Sequence, residues 1–191
     1  MKLNPLARAV ALAAPLFLSL DALATNGYFT HGVGTHNKAM AGAGTASPSQ
    51  AIDVANNPAA AVLVDERWDV ALALFSPRRS YETTDSLVNG NFGAFTIGPN
   101  DLDSENEWFP VPYVAKNWKL DNGQALGFAF YGRGGMNTEW RNGTATFDPD
   151  GPGPAPVMTL PGTYGGGTAG VDLMQAFIEL AWAGSMGSLH W

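Results

Sequence analysis

The chain has 191 residues, no cysteine, ten Lys and Arg residues against 17 Asp and Glu residues, and a formal net charge of −7. An acidic chain without a basic patch cannot neutralise nucleic-acid phosphates, which argues against DNA or RNA as a partner. The lack of cysteine excludes disulfides and thiolate metal or redox sites, so stability must come from burial and strand pairing.

The first 24 residues predict a signal peptide. Lys2 and Arg8 give it a positive start, an apolar run extends from Ala9 to Leu20, and Ala22-Leu23-Ala24 is a small-residue cleavage site. The apolar run is too short for a membrane helix, which needs roughly 20 residues. We therefore expect an exported protein whose mature chain begins at Thr25, and no later segment is apolar enough for a membrane helix.

A stretch of small residues follows the signal peptide. Residues 32–61, GVGTHNKAMAGAGTASPSQAIDVANNPAAA, carry only two charges, Lys38 and Asp53. The side chains of this segment are too small for an ordinary core, and the segment is too apolar for a typical linker.

Four later runs alternate large apolar residues with small or polar ones, which predicts strands with two different faces. The runs are Trp68 to Leu74, Phe109 to Lys119, a run that begins near Ala125, and Asp172 to Ala183. Each is about as long as the 9 to 11 residues that a tilted strand needs to cross a bilayer. Pro110 and Pro112 weaken the early part of the second run as a central strand.

The connections between these runs differ in length. Asp121-Asn122-Gly123 predicts a tight turn between runs two and three, whereas residues 83–107 and 137–170 are long, polar and rich in Gly and Pro. Short turns at one end and long loops at the other are typical of outer-membrane β-barrels, with the long loops outside the cell. A soluble secreted β-sandwich shares the alternation, so both folds stay open on pattern alone.

The number of strands bears on how such a sheet would close. Four strands cannot close a barrel, because the smallest barrels have about eight. The residues before Trp191 lack the alternation of a closing strand. We therefore expect either an oligomer or the front part of a longer protein.

Several short motifs resemble those of one family. They are Gly32-x-Gly34, Ala41-Gly42-Ala43-Gly44, Asn57-Pro58-Ala59 directly before a strand, and Gly135-Met136-Asn137-Thr138-Glu139-Trp140. Together they resemble the amino-terminal region of the FadL/TodX family, outer-membrane channels for long-chain fatty acids and other hydrophobic compounds. The resemblance implies an all-β, transmembrane antiparallel β-barrel, here a fragment of about four strands, with an amino-terminal luminal hatch of short helices.

The resemblance also implies an organisation and a function. Residues 25–62 would be the hatch, and residues 63–191 the first part of the barrel with two long external loops. The protein would be a passive channel rather than an enzyme, in the cell outer membrane of a Gram-negative bacterium, without cofactor or metal. Its partners would be a hydrophobic small molecule, outer-membrane lipid and the barrel-assembly machinery. The alternatives are a non-transporting outer-membrane structural protein or adhesin, and a soluble secreted β-sandwich binding module.

The family resemblance assigns ligand contact to the first hatch residues and the barrel wall. These residues are Tyr28, Phe29 and Val33, facing the inward-pointing Phe75, Tyr131 and Phe177. The triplet Asn57-Pro58-Ala59 is interpreted as the corner between hatch and first strand, where the Asn57 side chain caps the turn.

A cluster of glycines in the third run predicts a kink. Gly132, Gly134 and Gly135 crowd a strand, where glycine marks a bulge, a bend or a close approach. The family is similar in having a kinked third strand, through which ligand leaves sideways into the membrane. Lateral release suits an apolar ligand, which gains nothing by entering water.

Other motifs do not predict sites. The Gly-x-Gly pairs lack a preceding strand, a following helix and a Walker lysine. His31 and His36 lack acidic or cysteine co-ligands, and residues 100–107 lack the glycine of a calcium loop. No catalytic arrangement can be argued from residue spacing.

Overall fold

A computed structural model describes residues 25–26, 29–84, 94–151 and 153–191. The predicted signal peptide and Tyr28 lie outside the described residues. Strands dominate the described part, which confirms the all-β class. None of the described helices is long and apolar enough to span a membrane.

The chain begins with a short hairpin and a series of short helices. The hairpin strands are β1 (Thr25–Asn26) and β2 (Phe29–Thr30). The α-helices are Thr35–Ala39 and Ala60–Leu63, and the 3₁₀ helices between them are Ala43–Ala46 and Ala51–Ala55. Glycines with positive φ, at Gly32, Gly34 and Gly42, allow the sharp turns between these pieces. We call residues 31–64 the helical segment.

The described strands after the helical segment are, in chain order, β3 (Arg67–Phe75), β4 (Ser80–Thr83), β5 (Ala94–Ile97), β6 (Asn100–Asp103), β7 (Phe109–Lys119), β8 (Gln124–Trp140), β9 (Thr144–Asp148), β10 (Met158–Pro161), β11 (Ala169–Met186) and β12 (Leu189–His190). Strands β3, β7, β8 and β11 coincide with the four predicted runs. They form an antiparallel sheet in which each pairs with the next along the chain.

The turn between β7 and β8 has the predicted form. Asp121–Gly123 makes one turn of 3₁₀ helix, with positive φ at Asn122 and Gly123. Asparagine and glycine adopt this left-handed conformation at little cost, which is why the Asn-Gly pair predicts a tight turn.

The sheet of long strands is open in the described part of the chain. Strand β3 forms one edge, and β11 forms the other, where only its last residues pair with β12. The helical segment packs on one face of this sheet. We call that face the inner face and the opposite one the outer face.

The two long connections, which the sequence predicts as external loops, contain short strands. Strands β4 and β6 of the first connection pair with each other. Strand β5 of the first connection pairs with β9 of the second, and β10 adds to β9. Alternating Thr and apolar residues, such as Phe95-Thr96-Ile97, suit a pleated ladder once the two connections meet.

The predicted boundary at Asn57-Pro58-Ala59 is also wrong. Helix Ala60–Leu63 follows this triplet, and β3 begins only at Arg67. The triplet instead starts that helix, because the fixed φ of Pro58 suits the first turn of a helix. The predicted cap is confirmed, since the Ala59 N–H donates to Asn57 Oδ1 at 3.1 Å.

Candidate functional site

The inner face of the sheet is built from small residues where the helical segment covers it. The buried small residues of the strands are Ala115, Ala125, Gly127, Ala129, Ala181 and Ala183. Ile52 and Val54 of the helical segment are fully buried against them. A Cβ on Gly127 would lie 2.7 Å from Val54 Cγ1, so only glycine fits there without a shift. Small strand residues therefore let a second layer of backbone approach the sheet closely.

Polar side chains of the inner face hold the start of the 3₁₀ helix Ala51–Ala55. Asp69 is buried, and its Oδ2 accepts hydrogen bonds from the N–H groups of Ala51 at 2.5 Å and Ile52 at 3.4 Å. Arg67 donates to the other carboxylate oxygen at 2.8 Å. A carboxylate thus satisfies N–H groups that have no partner inside the helix.

The C-terminal end of helix Ala60–Leu63 is held by β7. The Asn117 side chain is completely buried, and its Nδ2 donates to the carbonyl oxygens of Ala61 at 2.9 Å and Val64 at 2.8 Å. Lys119 Nζ donates to Val62 O at 2.6 Å. Donors at a helix C-terminus complement its free carbonyls. The sheet therefore fixes both ends of the stretch from residue 51 to residue 64.

Three of the predicted ligand residues lie together on the inner face. The ring of Phe177 stacks on Tyr131 with centroids 5.6 Å apart, and it lies 6.4 Å from the ring of Phe29. Phe29 reaches this position because β2 pairs with β8 at Gly134. The Arg133 guanidinium lies 5.4 Å from the Phe29 ring, and the Tyr131 hydroxyl donates to Glu179 Oε2 at 3.2 Å. The cluster keeps accessible surface, since Phe177 is 36% exposed.

The other predicted ligand residues occupy different places. Val33 is buried, and its backbone N–H and C=O both bond to the Asn56 side chain at 2.9 Å. Phe75 lies at the far end of β3, opposite Phe109, and is 44% exposed. It does not line the cavity that Val33 lines.

The ladder between β7 and β8 ends part of the way along the sheet. Its last pair is Tyr113 with Tyr131, although β7 continues against β3 and β8 continues against β11. Pro110 and Pro112 explain this end. Both prolines lie within the β3–β7 ladder but have no N–H group to donate to β3, so they fit positions whose nitrogens face β8. Each therefore removes a donor that would extend the β7–β8 ladder.

Strand β8 carries a bulge where it leaves β7. Gly132 pairs with Ala176 and Gly134 with Gln175, so Arg133 has no partner on β11. A bulge bends a strand locally and re-aims its side chains. The predicted kink glycines Gly132 and Gly134 flank this bulge, and at Gly135 a side chain would collide with the backbone of β11.

A cavity of about 180 Å³ lies at the same place, between the helical segment and the separating strands. Its walls include Val33 and Lys38 of the helical segment and Ala71, Val111, Tyr113 and Gly132 of the sheet. Sequence reasoning missed Lys38, Val111 and Tyr113 as wall residues. Two signals were available: Lys38 is the only cation of residues 32–61, and Val111 and Tyr113 share a face of the second predicted run.

The outer face presents large apolar side chains that no described element covers. Val70 is 76% exposed and Leu180 is 80% exposed. Near the Asp121–Gly123 turn, indole rings form a row that includes Trp68, Trp118 and Trp182. Such an apolar band bordered by aromatic residues is typical of strands that face lipid.

Lys116 lies on the outer face, and its charge is covered by neighbouring side chains. Lys116 Nζ lies 5.8 Å from the Trp68 ring and 5.7 Å from the Trp118 ring, and it pairs with Glu66 at 2.9 Å. Indole rings attract an ammonium group through their π faces. The residue therefore does not interrupt the apolar band with a free charge.

The wall of the cavity is mainly apolar. No group of three or more His, Cys, Asp or Glu residues in the described ranges could hold a metal ion. No known family model, curated protein or solved structure matches the chain. Its function is therefore argued from the geometry of the sheet and the cavity.

Proposed function

We propose that the chain forms part of an outer-membrane channel for the passive uptake of hydrophobic compounds, such as long-chain fatty acids or aromatic hydrocarbons, in a Gram-negative bacterium. The observation that carries the proposal is the contrast between an exposed apolar outer face and an inner face covered by a small-residue segment. In this function the helical segment is the hatch, and the outer face contacts lipid. The resemblance of the sequence motifs to the FadL/TodX family supports the same function.

The outer face favours lipid over a second sheet. In a β-sandwich the large apolar side chains face the partner sheet, whereas here those of β3 and β11 are exposed in the described part of the chain. Exposed apolar faces of this extent lead to aggregation in water, but they are stable in a bilayer. This observation disfavours the soluble binding module.

The proposed mechanism is diffusion through a gap rather than chemistry. An apolar ligand binds in the cavity beside Val33, where each buried methylene contributes about 0.8 kcal/mol. It then passes Gly132, where β7 and β8 are not paired, and leaves sideways into the membrane. The ligand avoids water throughout, which is the favourable path for an apolar molecule.

The channel requires more strands than these four, because a barrel closes with about eight or more. Insertion of such a barrel implies the barrel-assembly machinery as a partner. A structural outer-membrane protein or adhesin remains the alternative with the same fold, and it differs from the channel only in lacking uptake.

Uptake of labelled dodecanoate and naphthalene by cells that express the complete gene tests the proposal. We expect saturable uptake above that of empty-vector cells. Gly132→Val should lower it several-fold, because a Cβ there would already lie 3.1 Å from Val111 Cγ1 and further methyl groups would fill the gap. Gly166→Ala is the matched control, since its Cβ would meet nothing within 4 Å.

The outcome separates the channel from its alternative. Equal outer-membrane amounts of both variants, with reduced uptake only in Gly132→Val, support the gap as the route. A wild-type protein that inserts into the outer membrane without saturable uptake of either compound would be a structural protein or adhesin.

A further inference from the structure

The gap between β7 and β8 runs from the end of their ladder to the strand ends that lie away from the Asp121–Gly123 turn. The ladder stops at the pair Tyr113 and Tyr131. Beyond this pair the edge of β8 that faced β7 carries β2 only at Gly134. What closes the far end of this edge decides whether the gap is an open slot or a bounded window.

Residues 104–107, in the connection that leads into β7, bind the far end of this edge. Ser104 is buried, and its Oγ accepts a hydrogen bond from the Glu139 N–H at 3.1 Å. The Glu105 N–H donates to Glu139 O at 3.0 Å. A neighbouring strand would use the same two backbone groups of Glu139. Residues 104–107, which we call the clasp, therefore take the place of β7 at the end of β8.

Further hydrogen bonds hold the clasp from both sides of the gap. On the β8 side, Asn106 Nδ2 donates to Asn137 Oδ1 at 2.6 Å. On the other side, the Ser104 N–H donates to Arg79 O at 2.8 Å, and the Arg79 guanidinium donates to the Asn106 carbonyl oxygen. The same guanidinium lies 5.5 Å from the ring of Phe109, the first residue of β7. The clasp is therefore tied to both strands that border the gap.

Ion pairs add little to this attachment. Arg141 pairs with Glu105 at 3.1 Å, and Arg78 pairs with Glu107. Both arginines are exposed, and ion pairs in contact with water contribute little to stability. The hydrogen bonds of the clasp, above all those of the buried Ser104, are therefore its main attachment.

Chain connectivity places the clasp across the gap. Asn106 is bonded to β8, and β7 begins three residues later at Phe109. Three residues span at most about 11 Å, so this segment runs directly from the end of one strand to the start of the other. The gap is thus bounded by the Tyr113–Tyr131 pair at one end and by the clasp at the other.

We infer that residues 104–107 are a permanent closure of the far end of the gap, which keeps water beyond the strand ends from the cavity beside Val111. The inference rests on the proposed function, in which the far end faces the outside of the cell, and it deepens that function by identifying the segment that bounds the lateral opening. Exclusion of water matters there because the cavity wall is mainly apolar.

The rate at which a thiol in the cavity reacts with a charged reagent tests the closure. Val111→Cys provides the thiol, because Val111 borders the gap and lines the cavity. The reagent is a negatively charged methanethiosulfonate, added to isolated outer membranes of cells that express the complete gene. Adding Ser104→Ala and Asn106→Ala removes two side-chain hydrogen bonds of the clasp and should accelerate the reaction about ten-fold, because local opening becomes easier.

Two further variants keep this test decisive. Tyr81→Phe is the matched control, since it removes a hydrogen bond to Thr163 Oγ1 of 2.6 Å in the same connections and leaves the clasp intact. It should not change the reaction rate. Asn106→Ala alone is the milder variant and should accelerate the reaction less, which decides the question if the double change prevents insertion.

Locking the clasp distinguishes a permanent closure from a lid. Asn106→Cys and Asn137→Cys place two thiols at side chains that are in direct contact, where a short bifunctional thiol reagent can join them. Uptake of dodecanoate by cells that express the complete gene should be the same before and after this crosslink. Loss of uptake on crosslinking would show that the clasp must open, and would overturn its role as a permanent closure.

The remaining outcomes separate the clasp from the channel. Fast reaction of Val111→Cys with an intact clasp, or equal acceleration by Tyr81→Phe, overturns the closure whatever the uptake shows. Slow reaction that is accelerated only by the clasp variants supports the closure. Absence of saturable uptake in the wild type would overturn the proposed function, and the reaction rates would still decide whether the clasp closes the gap.

Discussion

The inner and outer faces of the sheet come from alternate residues of the same strands, yet they follow opposite rules. Inner positions are small or polar and are buried by the helical segment, as at Ala129 and Asn117. Outer positions are large and apolar and are exposed, as at Val70 and Leu180. A protein folded in water buries its large apolar side chains first. The inner face therefore accommodates a second layer of backbone, and the exposed apolar outer face is what the proposed contact with lipid requires.

The two faces also treat charge differently. On the inner face, Asp69 and Lys119 bond to free N–H and C=O groups at helix ends, so that charge positions backbone. On the outer face, Lys116 is enclosed by indole rings and an acidic partner. Charge therefore positions the helical segment on the inner face, whereas the charge of Lys116 is shielded on the outer face.

The sharpest test of the outer face is a charge placed away from its border of indole rings. Ile178 lies four residues from Trp182 along β11, and Ile178→Arg should destabilise a protein folded in phospholipid vesicles by about 2–4 kcal/mol, because arginine is costly near the middle of a bilayer. In water the same change at a residue that is 74% exposed should cost within about 0.5 kcal/mol. Guanidinium unfolding of the complete gene product, followed by tryptophan fluorescence, measures the difference.

Tyr164→Arg is the control for Ile178→Arg. Tyr164 is also exposed, but it lies in the connection before β11 and outside the long strands. It should change the free energy of unfolding little. Similar costs at both positions would contradict contact of the outer face with lipid.

On the inner face, the free energy of unfolding should depend on side-chain volume rather than on charge. Gly127→Ala places a methyl group against Val54 and should cost about 1–3 kcal/mol of unfolding free energy through overpacking. Val54→Ala removes the colliding methyl groups. In the double variant the two costs should therefore not add, and a double-mutant cycle measures this coupling. Strictly additive costs would show that the two residues do not pack as a pair.

Much of the sheet could be predicted from the sequence because strand alternation is local. The bounds of β7, the tight turn at Asn122-Gly123 and the two faces all follow from neighbouring residues. The strands within the long connections could not be predicted, since β5 and β9 form a ladder only after segments about 50 residues apart meet. Helix Ala60–Leu63 was missed for a similar reason, because Asn117 of a distant strand holds its carbonyls.

The candidate site could likewise be predicted only in part. Face parity and the family resemblance together placed Tyr131 and Phe177 on the inner side, and the structure brings both beside Phe29. Phe75 has the same parity but lies beyond the stretch that the helical segment covers, a position that alternation cannot specify. The sequence identifies Lys38 only as an isolated charge. It does not reveal that helix Thr35–Ala39 borders the end of the β7–β8 ladder.

The smallest expected effect concerns hydrogen bonds within the helical segment. Asn57 Oδ1 accepts from the Ala59 N–H at 3.1 Å, and its Nδ2 donates to Thr45 O at 3.2 Å at an exposed site. Asn57→Ala should cost about 1 kcal/mol of unfolding free energy, the usual contribution of one such hydrogen bond.

Asn57→Asp provides the matched comparison, because it keeps the acceptor for Ala59 and loses only the donor to Thr45. It should therefore retain most of the unfolding free energy that Asn57→Ala loses, since an exposed hydrogen bond is readily replaced by water. Equal losses in both variants would assign the stabilisation to the Thr45 contact instead. Uptake should be unchanged in both variants, because the triplet starts a helix and does not line the cavity. Reduced uptake at unchanged stability would give Asn57 a direct role in transport.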